Sequence, residues 1–169
     1  PSAKMNKYDI CDTIRQAVLL QKITFDSIKI KLNIPEYEII FNFDRRLISQ
    51  ALINLIKNSS ESIFSNNKNV TEGVIEIILN DSDDQVSIQI KDNGIGFPST
   101  DTDKLLEPYY TTREMGTGIG LSVVKNIIEV HNGQIKLDNN LSENSSIVGA
   151  TVTLLIPKTL SIDSETMND

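Results

Sequence analysis

Asp92-Asn93-Gly94-Ile95-Gly96-Phe97 and, about twenty residues later, Gly116-Thr117-Gly118-Ile119-Gly120-Leu121 hold five of the eight glycines in this chain. Glycine is used where backbone must take a positive φ or come close to a ligand. The second stretch runs straight into residues 121–130, whose apolar spacing is that of a helix. Glycine-rich backbone opening a helix offers N–H groups to an anion, and the helix dipole adds to the attraction. Residues 116–120 therefore read as a phosphate site, with a second glycine turn nearby.

Upstream of the first stretch, residues 73–79 and 86–90 read as strands, separated by the turn Asn80-Asp81-Ser82-Asp83-Asp84. Asp92 thus falls at the end of a strand. A carboxylate there can accept from an exocyclic amine, while Gly94 and Gly96 let a flat ring approach; an Asx-type turn explains the same string without a ligand. The longest helix is expected over residues 44–64, with Asp44 as its N-cap and a broad apolar stripe from Leu47 to Ile63. Asn54 and Asn58 lie one turn apart on it, and Ser62 continues the row. Asparagine is a mediocre helix former. Two readings of the pair stand: a solvated polar face, or two carbonyl oxygens offered to a hard cation that also holds phosphates.

Elsewhere, residues 9–21 have helical spacing, capped by Asp9 or Asp12. Residues 27–34 and 38–43 read as two strands, broken by Pro35 and Glu36, that form a hairpin. Residues 65–72 are a loop. Residues 98–115 read as a lid with a short helical turn at 103–107, or as an ordinary surface loop; Arg113 with the Thr111 and Thr112 hydroxyls is placed to reach a terminal phosphate. Asn132-Gly133 ends the helix after the second glycine stretch, and His131, the only histidine, is read as structural at that helix's end. Residues 134–137 and 151–156 are two further strands joined by a loop rich in Asn and Ser. Pro157 ends the last of them. The tail, 158–169, is read as disordered. The order predicts an α/β two-layer sandwich, one mixed sheet covered on one face by helices.

The chain has 169 residues, 39% hydrophobic and 23% charged, with a net charge of −7. One domain with a proper core is expected. The negative charge argues against nucleic acid as a partner. No apolar run approaches the roughly 18 residues of a membrane span. Cys11 is the single cysteine, which excludes an internal disulfide framework and reads as a core residue. The first residue is Pro1 rather than Met, as in an excised piece of something longer. The second stretch, spaced G-x-G-x-G, is not the G-x-G-x-x-G dinucleotide fingerprint, and the G-x-x-x-x-G-K-[ST] loop is absent.

Four stretches together resemble the catalytic domain of bacterial sensor histidine kinases. Asn54-Leu55-Ile56-Lys57-Asn58 resembles their N box and Asp92–Phe97 their G1 box. Glu107-Pro108-Tyr109-Tyr110-Thr111-Thr112-Arg113 resembles the F box, with tyrosine for the usual phenylalanine, and Gly116–Leu121 the G2 box. They stand in the family's order, and the similarity spans residues 27–157. The short lid, Thr111-Thr112-Arg113 and Asn58-Ser59-Ser60-Glu61-Ser62 are most similar to the nitrogen-regulation subgroup. The resemblance implies a Bergerat (GHKL) ATP-binding fold. It assigns Asp92 to the adenine amine and Gly94 and Gly96 to the adenine pocket. It assigns Gly116, Thr117, Gly118, Gly120 and Leu121 to the phosphate site, Asn54 and Asn58 to Mg²⁺, and Thr112 and Arg113 to the γ-phosphate. Thr151 would hold a water beside the adenine. Asn54, Asn58 and Arg113 would be the catalytic residues.

The family also implies a division of the chain: 1–26 as a connector from a dimerisation domain that carries the phosphorylated histidine, 27–157 as the ATP-binding catalytic domain, 158–169 as tail. The implied activity is transfer of the ATP γ-phosphoryl to that histidine, with a response regulator as indirect partner. The isolated domain is expected to be a cytoplasmic monomer without membrane contact, its parent an inner-membrane sensor. Many family members carry Lys-Tyr where this chain has Glu61-Ser62, so a phosphate-facing cation is missing, and Arg113 or Lys57 would substitute. Hydrolytic relatives such as gyrase carry glutamate at position 54 as base for water. An asparagine cannot serve as that base, so slow hydrolysis is expected, with catalysis by positioning and charge stabilisation. The alternatives are an anti-sigma-type serine kinase, a nucleotide-binding pseudokinase and a non-nucleotide scaffold.

Overall fold

The computed structural model describes residues 2–66, 72–98, 102–108 and 120–159. Asn6–Asp9 (β1) leads into helix Ile10–Thr24 (α1). Ile28–Asn33 (β2) and Ile40–Phe43 (β3) precede the long helix Arg45–Phe64 (α2). Gly73–Asp81 (β4) and Gln85–Asp92 (β5) follow, then the short helix Thr102–Leu105 (α3), helix Gly120–Val130 (α4), and strands Gln134–Leu141 (β6) and Ile147–Pro157 (β7). A five-stranded sheet runs β2-β4-β5-β7-β6, and β1 with β3 forms a separate two-stranded ribbon. Only the β2–β4 pair is parallel, so the sheet is mixed.

Strand alternation divides the sheet into an apolar and a polar face. The rung Ile77, Ile90, Val152, Leu137 crosses four strands in register, and all four side chains are buried. Against this face pack α2 and α4, with α1 resting on α2. On the other face the rung Lys31, Glu76, Lys91, Thr151, Asp138 is polar throughout. The result is the α/β two-layer sandwich that the order of elements predicts.

Four expectations change. Residues 27–34 and 38–43 do not form a hairpin. After Pro35 the chain leaves the sheet, and Asp9 captures it: its carboxylate accepts from Cys11 N as the α1 cap and from Ile39 N at 3.1 Å, while Ile39 O accepts from Ile10 N. The aromatic rings of Tyr8 and Phe43, 5.7 Å apart, then zip β1 to β3. Residues 1–26 are not merely a connector, because α1 contributes Ile10, Cys11, Ile14, Ala17 and Val18 to the core. Cys11 is fully buried, as a core residue should be, and burial pushes its thiol pKa up. The Asn/Ser-rich loop between the last two strands is mostly hairpin, since β6 runs on to Leu141 and β7 begins at Ile147. Lys158 is tied down rather than loose: its N–H donates to Asp84 O and its ammonium pairs with Asp81. Residues 160–169 lie outside the described residues, as do most of the expected lid (99–101 and 109–115) and much of the second glycine stretch (116–119). Among the described residues no helix is long and apolar enough to cross a membrane.

Helices α2 and α4 lie antiparallel, and one end of the pair is fixed by His131. Its Nδ1–H donates to Ile127 O at 2.7 Å, and its Nε2 accepts from Asp44 N at 3.0 Å. The ring is therefore neutral and structural, bridging the end of α4 to the cap of α2. The Asp44 carboxylate accepts from Leu47 N at 3.0 Å and from Lys4 N at 2.7 Å. Burial pushes that carboxyl up, but the N–H donors and the Arg46 charge outweigh it, and the net shift is downward. Burying Leu52, Leu55 and Ile56 contributes roughly 1.5–3 kcal/mol each, so α2 readily tolerates the ~0.5 kcal/mol that each asparagine costs in helix propensity.

A group whose pKa is depressed on folding stabilises above its unfolded value and loses that contribution as pH falls through its folded value. Asp44→Ala should therefore cost about 1–2 kcal/mol at pH 7. The gap from the unmodified protein should narrow as pH drops below the unfolded value of 3.8. Urea unfolding at both pH values measures it.

Candidate functional site

One rung beyond the apolar rows, the helix-facing side of the sheet turns polar. Here Ile75, Asp92, Ala150 and Asn139 stand in register. Asp92 is only 7% exposed. Its Oδ1 accepts from Gly94 N at 2.9 Å and from Ala150 N at 3.3 Å. The carboxylate thus folds the chain back on itself and fixes the turn that begins the first glycine stretch. Asn93 secures the turn from outside, accepting from Val74 N at 2.8 Å and donating to Glu72 O at 2.9 Å.

The glycines answer to particular neighbours. A Cβ on Gly94 would fall 2.7 Å from the Ser62 carbonyl carbon and 2.8 Å from Ile63 N, so the loop lies directly on the backbone of α2. Gly96 has φ +77°, and a Cβ there would stand 2.8 Å from Asn139 Oδ1. Gly149, at φ +150°, lets β7 approach the end of β5, where a Cβ would lie 2.8 Å from the Asp92 carbonyl carbon. Gly120 opens α4, and a Cβ on it would sit 3.3 Å from both Nδ2 and Oδ1 of Asn58.

The polar row of α2 therefore touches both glycine regions. Ser62 Oγ accepts from Ile95 N at 3.1 Å, and the Asn58 carboxamide faces Gly120 at the head of α4. Asn54 and Asn58 are half-buried, and among the described residues neither carboxamide has a hydrogen-bond partner. Half-buried and in line, the two carboxamides remain reachable and are placed to take a ligand. Among the described residues no group of three or more His, Cys, Asp or Glu side chains is placed to hold a metal. A hard cation here would be held by carboxamide oxygens together with oxygens of its own ligand, a donor set that suits Mg²⁺. At the Glu61-Ser62 departure, Ser62 is buried and lies directly against Gly94.

Of the site residues expected from sequence, Asn58, Gly120 and Leu121 gather where α2 meets α4, with Asn54 one turn back along α2. Asp92, Gly94 and Gly96 gather at the end of β5. Thr112, Arg113, Gly116, Thr117 and Gly118 lie outside the described residues. Thr151 is a correction. It pairs with Lys91, one residue along from Ala150, so alternation turns its side chain to the opposite face from Asp92. There its hydroxyl donates to Asn140 Oδ1 at 2.7 Å, and Asn140 Nδ2 donates to Asp92 O at 3.3 Å. Sequence reading missed Asn139, Asn140 and Gly149, because an Asn- and Ser-rich run reads as loop. The one available signal was a glycine immediately before the alternation of the last strand.

The fold and this arrangement match known proteins. Residues 43–160 match the family described as histidine kinase-, DNA gyrase B- and HSP90-like ATPase. The chain belongs to that family. Within the family it is similar to the nitrogen regulation protein NtrY of Azorhizobium caulinodans, 35% identical over 98% of this chain and 22% of that protein. It is 36% identical to sporulation kinase A of Bacillus subtilis over 73% of this chain and 20% of that protein. The chain thus spans about a fifth of the length of these relatives. Among solved structures, the catalytic domain of histidine kinase ThkA superposes with a TM-score of 0.78 at 28% identity, covering 93% of this chain and 99% of that one. The chain is a catalytic ATPase domain of the histidine kinase type.

Gly94→Ala and Gly149→Ala force backbone apart and should each cost about 1–3 kcal/mol. Among the described residues Gly120→Ala meets just the end of the Asn58 side chain, and it regains helix propensity, so its stability should stay within about 0.5 kcal/mol of the unmodified protein. Thermal unfolding of the three variants without ligand measures the contrast.

Proposed function

We propose that this domain binds Mg-ATP and transfers the γ-phosphoryl to a histidine carried on a separate dimerisation domain of the same sensor kinase. The observation that carries the reading is Asp92: a buried carboxylate at a strand end, its backbone neighbourhood tightened by glycines, and α2 with the head of α4 beside it. A carboxylate only accepts, so it selects a base that presents an amine, as adenine does. Gly94 and Gly96 keep side chains out of the space such a ring needs.

Asn54 and Asn58 are the residues that would hold Mg²⁺, which supplies charge neutralisation across the phosphates. Gly120 and Leu121 begin α4, so its first N–H groups and dipole favour the phosphate chain. Gly116, Thr117 and Gly118 extend that cradle in this reading, and Thr112 and Arg113 serve the γ-phosphate. In the transfer, an imidazole nitrogen of the acceptor attacks the γ-phosphorus. The bond to the β,γ-bridging oxygen breaks, and ADP leaves with that electron pair. The imidazole proton passes to a base on the acceptor domain. The chain's part is positioning and charge stabilisation. Asn54, where a general base for water would stand, cannot take a proton, so hydrolysis stays slow. A response regulator would receive the phosphoryl from the histidine. The reading places the domain in the cytoplasm.

Calorimetric titration with ATP should show binding that strengthens with Mg²⁺. Asp92→Asn, which puts an amide where an acceptor is needed, should weaken it roughly tenfold or more. Addition of the histidine-bearing domain should then yield acid-labile phosphate on that domain. No binding at millimolar ATP, or rapid ATPase without an acceptor, overturns the proposal.

A further inference from the structure

Asn139 sits two strands away from Asp92 in the same rung and on the same face. Its Oδ1 accepts from Phe97 N at 2.7 Å, and its Nδ2 donates to Phe97 O at 3.0 Å. A carboxamide has the same donor and acceptor as a peptide unit. It thus gives Phe97 the two bonds that a neighbouring strand would give, at a point where the chain has left the sheet. Gly96 lies beneath the same oxygen in its left-handed conformation. The loop from Gly94 to Phe97 is consequently held at both ends, by Asp92 and Ser62 at Gly94 and Ile95 and by Asn139 at Phe97.

We propose that Asn139 is a positioning residue for base recognition: it keeps the loop in its binding conformation before nucleotide arrives. The inference rests on the reading of this pocket as an adenine site. A loop already ordered spares the ligand the entropy of ordering it, which otherwise subtracts from affinity. Asn139 suits this work because β6 is locked into the sheet through Ala150, and a side chain on a strand is placed more firmly than one on a loop. No other side chain of similar length supplies both a donor and an acceptor in one plane. Asparagine is required here, whereas an aspartate keeps the bond to Phe97 N and loses the one to Phe97 O.

Two measurements test this on the unmodified domain, Asn139→Ala and Asn139→Asp. The first is ATP affinity by calorimetry with Mg²⁺. The second is hydrogen exchange at the Phe97 amide without nucleotide, with amides inside α2 as reference. Asn139→Ala should bind ATP about tenfold more weakly and exchange Phe97 about tenfold faster, while α2 stays protected. Asn139→Asp should fall between. If Asn139→Ala matches the unmodified domain in affinity, or leaves Phe97 exchange unchanged, the inference is overturned. Faster exchange throughout α2 with unchanged affinity also overturns it, since that is a role in stability alone. Failure of the adenine reading looks different: the unmodified domain itself then binds no ATP, and the inference falls with it.

Discussion

Gly94 lies so close to Ser62 that no side chain fits between loop and helix, and the rest of the site is arranged around that contact. A loop pressed on a helix must have its backbone N–H groups satisfied. Here Asp92 Oδ1 takes the one on Gly94 and Ser62 Oγ the one on Ile95. The same helix meets the head of α4 one turn away through Asn58 and Gly120. A single row of small polar residues on α2 therefore sets the distance between two regions more than twenty residues apart in the chain. At the other end of the pair, the His131 ring fixes how far α4 can slide along α2. The packed pair is fixed at both ends, by a hydrogen bond at one and a close approach at the other.

The parts legible in sequence are those where local preference and tertiary need agree. The apolar stripe of α2, the alternation of β4 and β5 and the Asp44 and Asp9 caps all fall where their residues predict them. Asp92 at a strand end and Asn58 beside the second glycine region were equally readable, because motif and geometry coincide. The failures occur where long-range contacts override local preference. The pairing of β2 depends on β4, some 45 residues away, and nothing between Ile34 and Ile40 announces that β3 will turn to β1 instead. Asn139 and Asn140 look like loop residues because asparagine disfavours strands. They are in a strand since each side chain has a long-range partner: Asn139 has Phe97 in the glycine loop, and Asn140 has Thr151 on β7 and Asp92 O at the end of β5. Thr151 stands one position from Ala150, which in a strand is enough to put it on the opposite face from Asp92.

The chemistry asked of the α2 asparagines differs from that of an acidic metal cage. A carboxamide brings an oxygen without a charge, so it assists a cation already balanced by phosphates and holds a bare one weakly. It also cannot move a proton at neutral pH. In the proposed reading, the same choice of residue would favour a cation that comes and goes with its nucleotide and disfavour loss of the terminal phosphoryl to water. Both consequences of that reading would come from one functional group, used twice, one turn apart.

The five-stranded sheet is open at both sides, with β2 and β6 as its outermost strands. An open strand exposes unpaired backbone groups that another chain can extend. On β2, Lys29 and Lys31 alternate with the buried Ile28 and Ile30, and on β6 the exposed positions include Lys136 and Asp138. A second copy aligned along β2 would bring lysine against lysine, which opposes pairing. Like charges along β2 therefore oppose edge-to-edge pairing of that strand with a second copy of the domain.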